Sequence, residues 1–232
     1  MTGGWLRDLL TVYRIAFTRG ITLAVRNPVL IVPALACLYA RMLLPLFLAP
    51  LGLVGGLVFV LVESTCWSAM LACTGEVVRH GRVGMDDVRA GFTAYLGDVL
   101  NVRFALWLLA LLLMALPPSP LTLIVRIAVF VFFNAVPELI YLGRYGTADL
   151  LAASYRFIGE NWIEWFPATI LMLVAAGGVV GLVAGVPGVL GEVLLVLALG
   201  AVLGIGLTVR GVLFLELGQS SRRGRAFRRA VS

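Results

Sequence analysis

Lysine is missing from this chain, histidine occurs once, at His80, and 12 acidic residues stand against 18 basic ones, all of them arginine. Each scarcity excludes a class of function. One His and no His/Cys/Asp cluster leave a metalloenzyme or a hydrolase without its parts. Gly81-Arg82-Val83-Gly84 is too short to cradle a phosphate and recurs later as a turn, so no nucleotide loop is present. The three cysteines, Cys37, Cys66 and Cys73, lie in apolar runs without metal-ligand spacing and read as small core residues. No catalytic residue, metal or cofactor is therefore expected. Charged residues make up only 13% of the chain, about half the share of a soluble domain.

What the chain has instead is apolar length. It is 61% hydrophobic over 232 residues, with a mean hydropathy of +1.04. Several runs approach the roughly 20 residues that cross a hydrocarbon core of about 30 Å. An all-α integral membrane bundle follows. The net charge of +6 does not indicate nucleic acid, because the arginines gather where the chain leaves the apolar runs. Anionic lipid head groups are the partners that placement suits.

The stretch Glu76–Asp98 returns 62 residues later as Glu138–Glu160, without a gap. Seven of 23 positions are identical: Glu76/Glu138, Gly81/Gly143, Arg82/Arg144, Gly84/Gly146, Asp87/Asp149, Ala90/Ala152 and Gly97/Gly159. Most of these are Gly, Arg or acidic, so shared oiliness does not explain them. Each copy joins two apolar runs, which predicts parallel helical-hairpin repeats with amphipathic connector helices over 85–98 and 147–159. A fainter third unit is implied by layout, with Asn27, Asn101 and Asn161 where the chain enters the membrane and Glu76, Glu138 and Glu216 where it leaves.

Taken in order, residues 1–27 form an amphipathic helix. Trp5, Leu9, Tyr13, Ala16 and Gly20 fall on one stripe, with Leu6, Leu10, Phe17 and Ile21 beside it. That stripe either lies in lipid or packs on the bundle. Six spans are expected within 28–218: one from Pro28 to Pro50, one from Gly52 to Glu76, about 101–116 and 121–138, and two more to Ala184 and Glu216. Asn161–Phe166 reads as an aromatic anchor at the interface. Gly177, Gly181 and Gly185, then Gly200 and Gly204, offer small-residue faces for close helix approach, within the chain or in a homo-oligomer. Residues 219–232 form a basic tail. The N-terminal segment, both connectors (with Arg103 counted in the first) and the tail hold 15 of the 18 arginines. The positive-inside rule then places both termini in the cytoplasm of a bacterial or archaeal cell.

Three sets of candidate residues emerge. Arg41 and Glu63 reach similar depth in the first hairpin, and Arg126 lies near the same level in the second. A charge at mid-membrane costs at least about 2.5–3.5 kcal/mol on insertion scales, so these residues are expected to find partners inside the bundle. Two arginines to one acid leave a positive excess that suits an anion or a lipid phosphate. Arg126 has the alternative of snorkelling to the nearby head groups. Glu76, Glu138 and Glu216 would ring one end of the bundle and receive Arg82 and Arg144, while Asp87 and Asp149 stand in the first turns of the connector helices.

The connector motifs, Gly75-Glu76-Val77 followed by Gly81–Phe92, and Pro137-Glu138-Leu139 followed by Gly143–Ser154 and Asn161-Trp162, carry a resemblance. Over roughly residues 20–218 the chain resembles a bacterial and archaeal group of six-helix membrane proteins. That group is similar to the membrane domain attached to some glycerophosphodiester phosphodiesterases. The resemblance implies a helical membrane domain without the catalytic domain of those fusions. Two functions remain: a non-catalytic scaffold or partner subunit working at the cytoplasmic face, or a transporter of small solutes or lipids with a charged site at mid-membrane. A polar cavity at mid-depth would favour the second. Six spans also give a direct expectation: a reporter active only outside the cytoplasm, fused after Ser232, stays silent in intact cells. A strong signal would mean an odd number of spans or the opposite orientation.

Overall fold

The computed structural model describes residues 3–117, 119–143 and 147–219. Within them every regular element is helical. The helices are α1 (Gly3–Arg26), α2 (Ile31–Leu48), α3 (Gly52–His80), α4 (Met85–Ala94), α5 (Leu96–Ala115), α6 (Pro120–Phe132), α7 (Val136–Leu142), α8 (Thr147–Val183) and α9 (Gly188–Gln219). Five segments are long and apolar enough to cross a membrane: Pro28–His80, Leu96–Ala115, Pro120–Leu142, Asp149–Val183 and Gly188–Gly218. The first of these reverses at Gly52, whose φ of +54° suits a residue without a Cβ. It thus folds as an antiparallel hairpin of α2 on α3, with Asn27 at one end bonded to Gly81 at the other.

α3 is the spine, packed by α2, α4, α5, α7 and α9. At about 1.5 Å per residue its 29 residues measure roughly 43 Å, longer than a hydrocarbon core of about 30 Å. α4 covers the far end of that length. It folds back along α3 because Gly91 allows contact: a Cβ there would sit 3.1 Å from both Ala69 Cα and Ala72 Cβ. The connector helix stops at Ala94 rather than running through residue 98. Ser68 Oγ donates to Gly91 O (2.7 Å) and accepts from Tyr95 N–H (2.9 Å), so one hydroxyl from α3 closes the break. α5 begins at Leu96, several residues earlier than the expected span.

The second connector has no loop between its helix and its span. α8 runs through both and bends at Asn161 (φ −129°, ψ 17°). The chain also leaves helical geometry at Asn27 (φ −123°) and at Tyr95 (φ −123°), the latter four residues short of the position that the 62-residue offset pairs with Asn161. Asn27 and Asn161 share a further detail, since each side-chain amide donates to the carbonyl four residues back. In sequence-identical positions the copies have diverged. Gly81 adopts φ +78°, whereas Gly143 is extended at φ −85°.

The stripe of α1 faces protein. Ala16, Gly20 and Ala24 are buried against α9, while Leu10 and Ile21 are exposed. A Cβ on Gly20 would lie 2.6 Å from Val209 Cα, so the two backbones touch. Tyr13 reaches over to donate to Glu164 O (2.7 Å), and burial pushes its phenol up to about 12, which keeps it a donor. The aromatic stretch after Asn161 also departs from expectation. Trp162 is exposed, but Trp165 is fully buried in the main core with Phe157 and Phe214 around it.

The glycine faces divide. Gly200 packs against Ile31 and Leu35 of the first hairpin. Gly177 and Gly181 face open space, and Gly185 lies beyond the end of α8. Tyr141, fully buried, is gripped between Gly75 and Gly211 and donates to Leu207 O. A Cβ on Gly211 would stand 2.6 Å from the Tyr141 hydroxyl. Gly211→Ala should therefore lower unfolding stability by about 1–3 kcal/mol through overpacking. Gly177→Ala, with no neighbour to meet, should be neutral or slightly stabilising. Denaturant unfolding in detergent would compare the two.

Candidate functional site

Two buried carboxylates organise the interior, and each is held by arginine. Glu63 is 3% exposed. One of its oxygens bonds Arg41 Nη1 at 2.9 Å, and the other bonds Arg103 Nη1 at 2.5 Å. The arginines differ in setting, with side chains 70% and 23% exposed respectively. Trp67, one turn along α3 from Glu63, lies beneath the Arg103 guanidinium, 5.2 Å from centroid to Cζ. An aromatic face under a cation with little water around it adds attraction of roughly 2 kcal/mol. Glu63 lies about 17 Å along α3 from Gly52, and Arg103 about 18 Å along α5 from Ala115, at 1.5 Å per residue. Both distances fall near the middle of a hydrocarbon core.

Cavities flank this cluster on two sides. α5 packs on α3 while α6 packs on α8, so the helices joined at Pro117 lean on different partners. Between α3, α5 and α7 lies an open cavity of about 500 Å³, reached by Arg41, Glu63 and Arg103 and walled by Phe59, Leu106 and Trp107. A second, of about 250 Å³, touches Arg41 and Glu63 from the side of Cys37, Met172 and Leu199. The larger cavity also borders a helix break. Pro137 has no N–H and cannot accommodate the carbonyl four residues earlier, so α6 ends at Phe132 and α7 starts at Val136. Phe133, Val136 and Pro137 line the cavity at that point.

The second carboxylate secures that break. Glu138 is fully buried. Arg210 of α9 grips it through Nε (2.8 Å) and Nη2 (2.9 Å), the two-pronged geometry a guanidinium favours. The same Arg210 donates to Asn134 O (2.5 Å), the carbonyl left over by the interrupted helix, and lies 4.8 Å from the Trp165 ring. Asn134 Oδ1 accepts from Trp165 Nε1 (2.8 Å) and Thr169 Oγ1 (3.1 Å). This assembly ties α7, α8 and α9 into one body. Arg79 adds a tie from α3 by donating to Tyr141 O.

The remaining expected residues do not join a site. Arg126 is exposed on α6, about 9 Å along the helix from Pro120, and Glu63 takes Arg103 as its second arginine instead. The three end carboxylates form no ring. Glu76 pairs with His80 one turn on (2.6 Å), Glu138 is interior, and Glu216 is half-buried with its own contacts. Arg82 is exposed, while Arg144 lies outside the described residues. Asp87 caps α4 by accepting the Gly84 N–H (2.7 Å). Asp149 sits with Arg156 and Glu160 around a separate open cavity of about 700 Å³ at the start of α8. Among the described residues no cluster of His, Cys, Asp or Glu is placed to hold a metal.

Sequence reasoning missed Arg103 and Arg210. Arg103 stands two positions after Asn101, where the span was expected to begin, and so was counted with the surface arginines. Arg210 gave a plain signal: a lone cation between Val209 and Gly211, deep in an apolar run, is by default an interior residue with a partner. The geometry around Glu63 predicts unequal couplings. Double-mutant cycles on unfolding free energy should give Glu63–Arg103 an interaction within about 0.5–3 kcal/mol, above that of Glu63–Arg41, because Arg103 is the better buried. Equal or zero couplings would contradict the arrangement. Searches against protein-family models, curated proteins and solved structures return no match.

Proposed function

We propose that the chain is a six-crossing membrane transporter of a small solute or lipid, with the Glu63 cluster as its mid-membrane site. The observation that carries this is the juxtaposition of a charged cluster, an open cavity and an interrupted helix at one depth. Irregular backbone inside a membrane is tolerated where it is buried in protein or lines a cavity, and broken helices at a charged mid-membrane site are a recurrent design in transporters. The six crossings count α2 and α3 separately, as their hairpin warrants. The three helix–break–span units, at Asn27, Tyr95 and Asn161, support parallel repeats. Both termini and both connectors face the cytoplasm, where exposed Arg7, Arg14, Arg19, Arg26, Arg82 and Arg89 meet anionic lipid. No bond-making step enters this reading.

A second reading, a non-catalytic scaffold or partner subunit, has one observation in its favour. Gly177, Gly178 and Gly181 present the backbone of α8 to open space, a surface on which another helix or a second copy can approach closely.

Side-specific labelling separates the two. Leu106 lines the larger cavity about 14 Å from Ala115. In a background with Cys37, Cys66 and Cys73 replaced by Ala, Leu106→Cys should react with a membrane-impermeant thiol reagent from both faces of sealed vesicles, because a transporter exposes its site to each side in turn. Labelling from one face only, or from neither, would remove the transport reading.

A further inference from the structure

We infer that the Glu63 cluster binds an amphiphile with a single negative charge, its acidic head between Arg41 and Arg103 and its tail along the wall formed by Phe59, Leu106 and Trp107. This rests on the intramembrane site just described and adds the class of ligand.

The charge count is the first argument. Two guanidiniums meet one carboxylate, and Glu63 occupies a single nitrogen of each. A guanidinium carries five N–H donors in a fixed fork, so most of the Arg41 fork, on a side chain 70% exposed, remains to be satisfied. An unmatched cation at that depth is costly. One further anionic group restores neutrality, and a carboxylate or a phosphodiester matches the fork geometry. A dianion would reverse the sign of the cluster.

The walls are the second argument. Beyond the three charged residues the larger cavity is lined by apolar and aromatic side chains, which offer a polar ion nothing but suit a hydrocarbon tail. The cavity is open rather than sealed, so a ligand already dissolved in the bilayer enters without crossing water. Its shape depends on Gly56. A Cβ there would stand 3.1 Å from Trp107 Cζ2 and 3.2 Å from Nε1, so the absence of a side chain on α3 lets the indole settle against the backbone and leaves the wall free. A bulky residue at 56 would drive Trp107 into the tail's space without touching any charge.

The test uses the full chain in a neutral maltoside detergent, with bound ligand counted by native mass spectrometry and fold checked by circular dichroism. The probes are phosphatidylglycerol, palmitate, phosphatidylcholine and inorganic phosphate. One phosphatidylglycerol or one palmitate should bind per chain, with phosphatidylcholine and phosphate at least tenfold weaker. Preference between the first two tells whether the acidic head is that of a lipid or of a free fatty acid. Arg103→Gln should weaken binding at least tenfold, and Gly56→Leu should weaken it without altering the dependence on salt. Glu63→Gln should tighten it several-fold, since it leaves both guanidiniums for the ligand; a purely structural ion pair gives no such gain. If Glu63→Gln does not fold, Arg41→Gln, on the exposed partner, should weaken binding in its place. Equal binding of phosphatidylcholine, or binding indifferent to Arg41 and Arg103, would overturn the inference. So would inorganic phosphate binding as well as the lipid. Amphiphile binding with one-sided labelling at Leu106→Cys would leave this inference standing and remove transport. Two-sided labelling without amphiphile preference would do the reverse.

Discussion

A backbone that interrupts its helices near or inside a membrane must find partners for the groups it frees, because lipid supplies none. Among the described residues four interruptions draw on a named side chain to close them. Asn27 donates to Leu23 O and Gly81 O and accepts from Val83 N–H, so the gap between α1 and α2 and the turn after α3 share one amide. Ser68 serves the gap between α4 and α5. Asn161 answers its own bend through Phe157 O, and Arg210 takes the Asn134 carbonyl at the break between α6 and α7. Three of these side chains act where a connector or the N-terminal helix meets a span, and Arg210 serves the break inside one.

The same constraint explains why the two interior ion pairs are so different in consequence. Arg210 is 5% exposed and has a partner for each guanidinium nitrogen, in Glu138, Asn134 and Thr169. A pair satisfied to that degree fixes geometry and has little left to offer a ligand. Arg41 and Arg103 share one carboxylate and border empty volume. The first assembly holds the broken helix in place, and the second uses the cavity beside it.

The membrane fold was legible because apolar length and punctuation suffice to find spans. Asn27-Pro28, Gly52 and the Pro117 turn each fall where the helices change. The Arg41–Glu63 contact was legible too, since equal distance from the turn in an antiparallel hairpin puts two residues side by side. Lateral packing was not. Arg103 reaches Glu63 only because α4 folds back on α3 at Gly91 and starts α5 early, a choice made by one missing Cβ and one hydroxyl. Likewise the equivalence of Glu76 and Glu138 in sequence did not carry their surroundings: one meets a neighbouring His80, the other an arginine from the last helix. Identity within the repeat fixes neither the local backbone, as Gly81 and Gly143 show, nor what a side chain meets across the bundle.

The contact between Gly20 and Val209 joins the first helix to the last. During synthesis α1 leaves the ribosome long before α9 exists, so the part of its stripe that packs on α9 has no partner yet. An amphipathic helix in that position rests on the membrane surface. It exchanges lipid for the backbone of α9 only when the final span has inserted. The two homes that the stripe of α1 suits, lipid and protein, are then successive stages of assembly, divided by the arrival of α9.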